Sequence, residues 1–269
     1  MKNVAVIGLG YVGLPSALVI SNSKKYKVIG IDKFNKHGIE KIRKINDGKL
    51  TISSEDKSLK KFLVNSLRKK KLICTTDIEL LKKTEVVLVS INFDLQNVKK
   101  NYDNLSNLVS SIFTIIRKKT LIIFESTLVP GTFDKIIIPT AEKTLNKRNM
   151  NINDFYLGYS YERVTPGKNY LNSIRNGNRV YSGINKISKI KIKSFFKSIL
   201  TKKAKLLELQ HIKECEVSKI LENSYRSLNI AFIDEWLKFC ESLDINLIKI
   251  INYIKLRKSH SNIMMPGLG

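Results

Sequence analysis

The sequence predicts an α/β chain: a Rossmann-type, doubly wound and mainly parallel sheet, followed by an all-α central helical region. Three observations carry this. Short β-branched runs alternate with longer amphipathic stretches through residues 1–210, the pattern of a parallel sheet covered by helices. A glycine-rich turn, Gly8-Leu9-Gly10-Tyr11-Val12-Gly13, stands between the first strand-like run and the first helical one. Strand-like runs then cease near His211. The expected division is a Rossmann-type domain over 1–210 and a helical region over 211–269, sharing one continuous body.

In chain order, Asn3–Ile7 is an apolar, valine-rich run too short for a helix, and it ends at a glycine. Val12–Ser23 continues as a helical pattern. Lys27–Ile31 reads as the second strand, and Lys36–Ile45 and Glu55–Lys70 as amphipathic helices. Lys69-Lys70-Lys71 closes the latter, where cations complement the macrodipole. Leu72–Thr75, Glu85–Ile91, Leu121–Phe124 and Phe155–Tyr159 are β-branched or aromatic runs. They alternate with helical stretches at Tyr102–Arg117 and Phe133–Leu145. Strands at Arg179–Gly183 and Lys205–Leu209 flank a helix at Ile187–Leu200. A long helix runs from Ile212 to Cys240, and a further one begins near Asp244 and passes through Tyr253.

The 269 residues are 43% hydrophobic, enough for a sizeable core. No apolar run approaches bilayer length, and the chain opens on a strand-like segment rather than a charged leader, so a cytoplasmic protein with no membrane partner is expected. Cys74, Cys215 and Cys240 are odd in number and lack CxxC spacing, and His37, His211 and His260 lie apart from them. A disulfide framework and a metal site are both disfavoured, and the thiols read as small buried hydrophobes. Lys and Arg total 48 against 23 Asp and Glu, a formal charge of +25. That balance invites a nucleic-acid reading. The excess is mostly lysine spread along the chain beside abundant Asn and Ile, as AT-rich coding produces, so no nucleic-acid partner is expected.

The GxGxxG at Gly8, Gly10 and Gly13 has a physical use at this position. The first glycine permits the tight turn, the second lets backbone approach a pyrophosphate, and the third allows close helix–strand packing. Unpaired N–H groups of Tyr11, Val12 and Gly13 at the helix start suit phosphate. Asp32 ends the second strand about 20 residues on, where a carboxylate binds adenosine ribose hydroxyls. It would repel a 2′-phosphate, which favours NAD over NADP, with Lys33 weakening the preference slightly. The competing reading is a glycine turn needed only for packing.

Three further stretches carry polar groups at informative places. In Phe124-Glu125-Ser126-Thr127-Leu128-Val129-Pro130-Gly131-Thr132 a strand ends in hydroxyls. Ser126 and Thr127 either face the ligand crevice at the strand's carboxyl end or cap the next helix. In Tyr159-Ser160-Tyr161-Glu162-Arg163-Val164-Thr165-Pro166-Gly167-Lys168, Glu162 and Arg163 read either as a surface pair or as site residues. On the helix Glu216–Arg226, spacings of four and three put Lys219, Asn223 and Arg226 on one face, either a solvated face or an oxyanion or phosphate clamp.

Together with GLGYVGLP at the start and RKSHSNIMMPGLG at the end, FESTLVPGT, YSYERVTPG and EVSKILENSYRSLNIA make nearly the whole chain resemble the UDP-glucose/GDP-mannose dehydrogenase family. The resemblance implies NAD-dependent oxidation of C6 of a nucleotide sugar to the uronate, for polysaccharide precursors. Two hydride transfers are implied, the second through a cysteine thiohemiacetal and a hydrolysable thioester. By motif position, Lys219 and Asn223 would stabilise the oxyanion, Glu162 and Thr127 would position water or the reacting alcohol, and Arg163 would belong to the substrate-binding set. Ser126 and Thr127 would join Gly8, Gly10, Tyr11, Val12, Gly13 and Asp32 around NAD. Arg257 would contact the sugar nucleotide, either within its own subunit or from the neighbouring one of a homodimer built on the long helix.

The sequence also departs from the family. The family's cysteine lies in a loop continuing the motif at Met265-Pro266-Gly267-Leu268-Gly269, so the expectation is an amino-terminal part lacking that cysteine and the nucleotide-sugar-binding domain, and inactive alone. Pro166 stands where the UDP-glucose branch has a second glutamate, so the motif looks closer to the UDP-N-acetylhexosamine branch. Tyr161 replaces a proline usual in both, and Ser90-Ile91-Asn92 replaces a Pro-Thr-Pro turn. The alternatives are a single-step β-hydroxyacid dehydrogenase, which also pairs a helical Lys with an Asn four residues on, and a non-catalytic NAD-binding protein.

Overall fold

The computed structural model describes residues 1–92, 97–163 and 167–266. The chain forms two compact units, Met1–Val217 and Ser218–Gly269. In the first, β1 (Lys2–Ile7), β2 (Tyr26–Ile31), β3 (Leu72–Thr75), β4 (Val86–Val89), β5 (Leu121–Phe124), β6 (Tyr156–Tyr159), β7 (Arg179–Gly183) and β8 (Leu206–Glu208) make one eight-stranded sheet. Their order is β3-β2-β1-β4-β5-β6-β7-β8. Neighbours are parallel throughout except β6 and β7, which run antiparallel. The first six strands follow the order of two mononucleotide-binding halves, with the direction of winding reversing between β1 and β4. The expected fold class is the one observed.

The central strands are apolar on both faces because helices cover both. Val4 and Val6 point into one core and Ala5 and Ile7 into the other. The first core takes Leu14 and Leu18 of α1 (Gly13–Ser21), Leu59 and Leu63 of α3 (Lys57–Arg68), and Ile192 and Phe196 of α7 (Lys186–Ile199). The second takes Leu105, Val109 and Ile112 of α4 (Val98–Ile115) and Ala141 and Leu145 of α5 (Ile138–Asn146). Side-chain caps start α3 and one further helix. Asn35 accepts from Gly38 N at the head of α2 (Lys36–Asn46), and Asp56 accepts from Ser58 N at the head of α3.

Three expectations need correction. Glu85–Ile91 is shorter, Val86–Val89: Glu85 N still donates to Asn3 O at 3.0 Å and Ser90 N to Ile7 O at 2.8 Å, but these single bonds lie beyond the paired strand. The helix expected over Phe133–Leu145 opens as a π turn, Phe133–Ile137, before α5. Pro139, near the start of α5, has no N–H to donate to the preceding turn, and the wider turn accommodates it. A seven-residue helix, α6 (Tyr170–Asn176), was not anticipated.

In the second unit, α8 (Ile212–Ser242, which begins in the first) packs Ile233 and Cys240 against Leu247 and Ile251 of α9 (Leu247–Ile254). Leu221, Tyr225, Leu228, Phe232, Trp236 and Phe239 are exposed. Their spacings of four, three, four, four and three put them on one stripe of α8. Among the described residues, no helix is long and apolar enough to cross a membrane.

Candidate functional site

The reversal point between β1 and β4 is where the three glycines sit, and each is needed for a different reason. Gly8 has φ of +91°, and a Cβ there would lie 2.4 Å from Ser90 O, at the end of β4. A Cβ on Gly13 would lie 1.8 Å from Gly8 O, so packing of α1 on the turn demands glycine. A Cβ on Gly10 would meet nothing within 4 Å. Packing therefore explains the first and third glycines but not the second. No side chain caps α1: Val12 makes no side-chain hydrogen bond, Leu14 N turns back to Gly10 O at 3.1 Å, and Pro15 has no N–H, so the helix start relies on the turn itself. Tyr11 is exposed, and its carbonyl accepts from the Tyr170 hydroxyl, which ties the turn to α6.

Asp32 follows β2 and reaches back under the turn. Its Oδ2 accepts from Leu9 N at 3.1 Å and from Lys41 Nζ at 2.8 Å, and its Oδ1 accepts from Lys33 N at 2.8 Å. Burial alone would raise this carboxyl, but the Lys41 ammonium and the two backbone donors together hold it below the usual aspartate value. The carboxylate is ionised and fixed at the edge of the glycine turn, as ribose binding requires. Turn, uncapped helix end and carboxylate together fit a dinucleotide.

Further along the sheet, the carboxyl ends of β4, β5 and β6 and the start of β7 converge on a buried ionic cluster. Arg179, 2% exposed, donates through Nη1 to Glu125 Oε1 at 3.0 Å and forms an ion pair through Nη2 with Glu162 Oε2. Its guanidinium also lies over the Phe196 ring, 5.0 Å from the centroid. Ser90 Oγ donates to the other oxygen of Glu125 at 3.0 Å. Glu162 is thus no surface partner of Arg163. It is 6% exposed, and its buried counter-ion is Arg179. Arg163 is half-buried and turns to the Tyr161 hydroxyl at 2.8 Å, with its guanidinium 5.3 Å from that ring's centroid. Ser126 is buried, and its hydroxyl accepts from Ile91 N at 3.0 Å, tying the end of β5 to that of β4. Thr127, next to it, is half-buried.

The FESTLVPGT segment is also held from α8. Glu216, fully buried, accepts from Gly131 N at 2.6 Å and Phe133 N at 3.0 Å, capping the π turn. Burial raises its carboxyl despite those two donors. Sequence reasoning assigned roles to neither Arg179 nor Glu216. The only signal was a charged residue at the head of a strand and another beside Cys215 on an apolar helix face.

Lys219 and Asn223 lie on α8 in the second unit, half-buried and exposed respectively, with Arg226 exposed on the same face. That face is opposite the apolar stripe. Arg257 precedes a short 3-10 turn, Lys258–His260. All three thiols are buried, and burial pushes Cys74 and Cys215 up to about 12, so neither is a ready nucleophile at neutral pH. Val164, Thr165 and Pro166 of the YSYERVTPG segment and Gly267, Leu268 and Gly269 of the terminal motif lie outside the described residues.

Comparison with known proteins agrees with this geometry. The chain is 30% identical over 273 residues to UDP-N-acetyl-D-mannosamine dehydrogenase of Methanococcus maripaludis strain C7, covering all of this chain and 58% of that protein. It is 33% identical over 237 residues to UDP-N-acetyl-D-glucosamine 6-dehydrogenase of Pseudomonas aeruginosa, covering 86% of this chain and 51% of that one. The solved UDP-D-ManNAc dehydrogenase of Pyrococcus horikoshii superposes with a TM-score of 0.84 at 27% identity, covering all of this chain and 60% of that one. The chain thus spans somewhat over half the length of these relatives. Residues 2–200 match the family's NAD binding domain and residues 213–269 its central domain. With two family domains matched in order and a dinucleotide turn at the first strand, the chain belongs to the UDP-glucose/GDP-mannose dehydrogenase family.

Proposed function

We propose that this chain binds NAD and supplies part of the site that oxidises C6 of a nucleotide sugar to the uronate, on the way to polysaccharide precursors. The observation that carries the reading is Gly10: its missing side chain answers to nothing in the protein, and the room beside it adjoins an uncapped helix end and the Asp32 carboxylate. A packing turn would leave no such room. NAD, when bound, supplies the hydride acceptor.

The remaining roles belong to this chain's own residues. Gly10, Tyr11, Val12 and Gly13 present N–H groups to the pyrophosphate, Asp32 takes the ribose, and Ser126 and Thr127 line the strand ends beyond it. Lys219 and Asn223 donate to the oxygen on which charge develops, which requires them to be oriented beforehand. Glu162 and Thr127 hold water or the reacting hydroxyl, with Arg163 alongside the substrate. Arg257 contacts the sugar nucleotide. The acid-forming half of the reaction needs a thiolate, and Cys74, Cys215 and Cys240 are all buried. We therefore propose that these 269 residues alone bind NAD without completing turnover.

The substrate we favour is a UDP-N-acetylhexosamine. Support comes from the Glu162-Arg163 motif with Pro166 where the UDP-glucose branch has glutamate, and from relatives named as dehydrogenases of such sugars. A homodimer is proposed through the exposed apolar stripe of α8, which is too large to suit a solvated face. Three buried unpaired thiols suit the reducing cytoplasm.

Titration calorimetry with NAD tests the reading. Wild-type chain should bind and Asp32→Ala should bind at least about tenfold more weakly. No detectable uptake by either protein would overturn it. Sustained NADH production from UDP-hexose or UDP-N-acetylhexosamine, at about 1 per second or faster, would overturn the incomplete-site part alone.

A further inference from the structure

The Asp32 carboxylate is nearly saturated by the protein itself. A carboxylate offers about four lone-pair positions. Leu9 N and Lys41 Nζ occupy Oδ2, and Lys33 N occupies one position on Oδ1. A single position, on Oδ1, is left for a ribose hydroxyl. The Lys41 side chain is 19% exposed and that of Asp32 10%, so this ion pair is packed rather than solvated. The nearest other acid along α2, Glu40, is engaged by Lys44 at 2.7 Å. Lys33 and Lys36 are exposed on the same segment.

This charge arrangement differs from that of a lone carboxylate after β2. A carboxylate excludes a 2′-phosphate because like charges repel at close range in a poorly screened pocket. Here an ammonium lies 2.8 Å from that carboxylate, and the pair carries no net charge. The ammonium is also a donor that a 2′-phosphate could share with Asp32, a charge-assisted contact stronger than a neutral one.

We propose that Lys41 is a specificity-determining residue of the dinucleotide site, cancelling the Asp32 charge so that the chain accepts a 2′-phosphorylated dinucleotide alongside NAD. The inference rests on the NAD-binding reading above. It assigns to α2 a role in cofactor choice that the glycine turn and Asp32 alone do not determine. The preference for NAD survives only through the 2′-hydroxyl that donates to Oδ1.

The test is calorimetric titration of the whole chain with NAD and, separately, NADP, in wild type, Lys41→Met, Lys41→Gln and Lys41→Arg. Two neutral replacements are included so that a folding defect in one leaves the other readable, with circular dichroism as the check. Wild type should bind NADP within about tenfold of NAD. Each neutral variant should lose about tenfold or more in NADP affinity and less than about threefold for NAD, while Lys41→Arg keeps the wild-type ratio. A ratio unchanged within about twofold in both neutral variants, or wild type that binds NAD with no measurable NADP uptake, overturns the proposal alone. Failure of wild type to bind either dinucleotide overturns it together with the NAD-binding reading.

Discussion

Arg179→Met removes the cation from the cluster at the strand ends and leaves Glu125 and Glu162 facing each other without it. Arg179 is 2% exposed, and the side chains of its two partners are 1% and 3% exposed. Water cannot take over. Breaking a buried pair by removing one partner costs about 3–5 kcal/mol, because a charge is left buried without compensation. Domain stabilities of about 5–15 kcal/mol make that a third or more of the total in many cases. With a urea dependence near 3 kcal/mol per molar, the midpoint should fall by about 1–2 M. Far-UV circular dichroism is the appropriate signal, since the single tryptophan, Trp236, sits in the second unit and would report on that unit instead. The triple variant Arg179→Met, Glu125→Gln, Glu162→Gln removes all three charges and should recover most of the loss. A shift below about 1 kcal/mol for Arg179→Met, small for a buried pair, or single-variant losses that add up in the triple, would refute the argument.

Two other outcomes follow from particular contacts. Asp56 caps α3 and also accepts from Leu171 N at 2.9 Å, so Asp56→Ala should lose about 1–2 kcal/mol. Burial would raise its carboxyl, but the hydrogen bonds from Ser58 and Leu171 hold it below the usual aspartate value. A group lowered in the folded state stabilises above its unfolded value and loses that contribution as pH falls through the folded one. Wild-type stability should therefore drop below about pH 4 more steeply than that of Asp56→Ala, as urea titrations across the acid range would show. Phe232→Glu puts a charge in the middle of the α8 stripe, and sedimentation should show wild type as a dimer and the variant as a monomer. A monomeric wild type would remove the case for the dimer.

What the sequence could reveal was local or periodic. Leu72–Thr75, Leu121–Phe124 and Arg179–Gly183 are read to the residue, because each is a short run with abrupt changes of composition at its ends. The glycine turn and Asp32 are equally plain, since spacing along one strand–turn–helix–strand unit sets their geometry. Glu85–Ile91 runs too long on paper because nothing local marks where regular pairing stops: Glu85 and Ser90 still make single bonds to Asn3 and Ile7 beyond the ends of the paired strand. The helix Tyr170–Asn176 is too short to display a period. Arg179 and Glu216 were missed for a different reason: Glu125 lies 54 residues from Arg179 and Gly131 85 from Glu216, and only the completed sheet brings them within bonding distance. Burial of Glu162 was likewise invisible, because adjacent opposite charges most often are a solvated pair. The roles suggested for Lys219, Asn223 and Arg257 come from motif resemblance alone.

The central claim is that the space at Gly10 exists for a ligand. Titration of NAD into wild type and Gly10→Val, with thermal midpoints recorded for both, addresses it directly. Nearly unchanged midpoints are expected, because a Cβ there meets nothing within 4 Å, together with an affinity lowered at least about tenfold. Equal NAD affinity in the two proteins, or a large loss of stability in Gly10→Val, would contradict it.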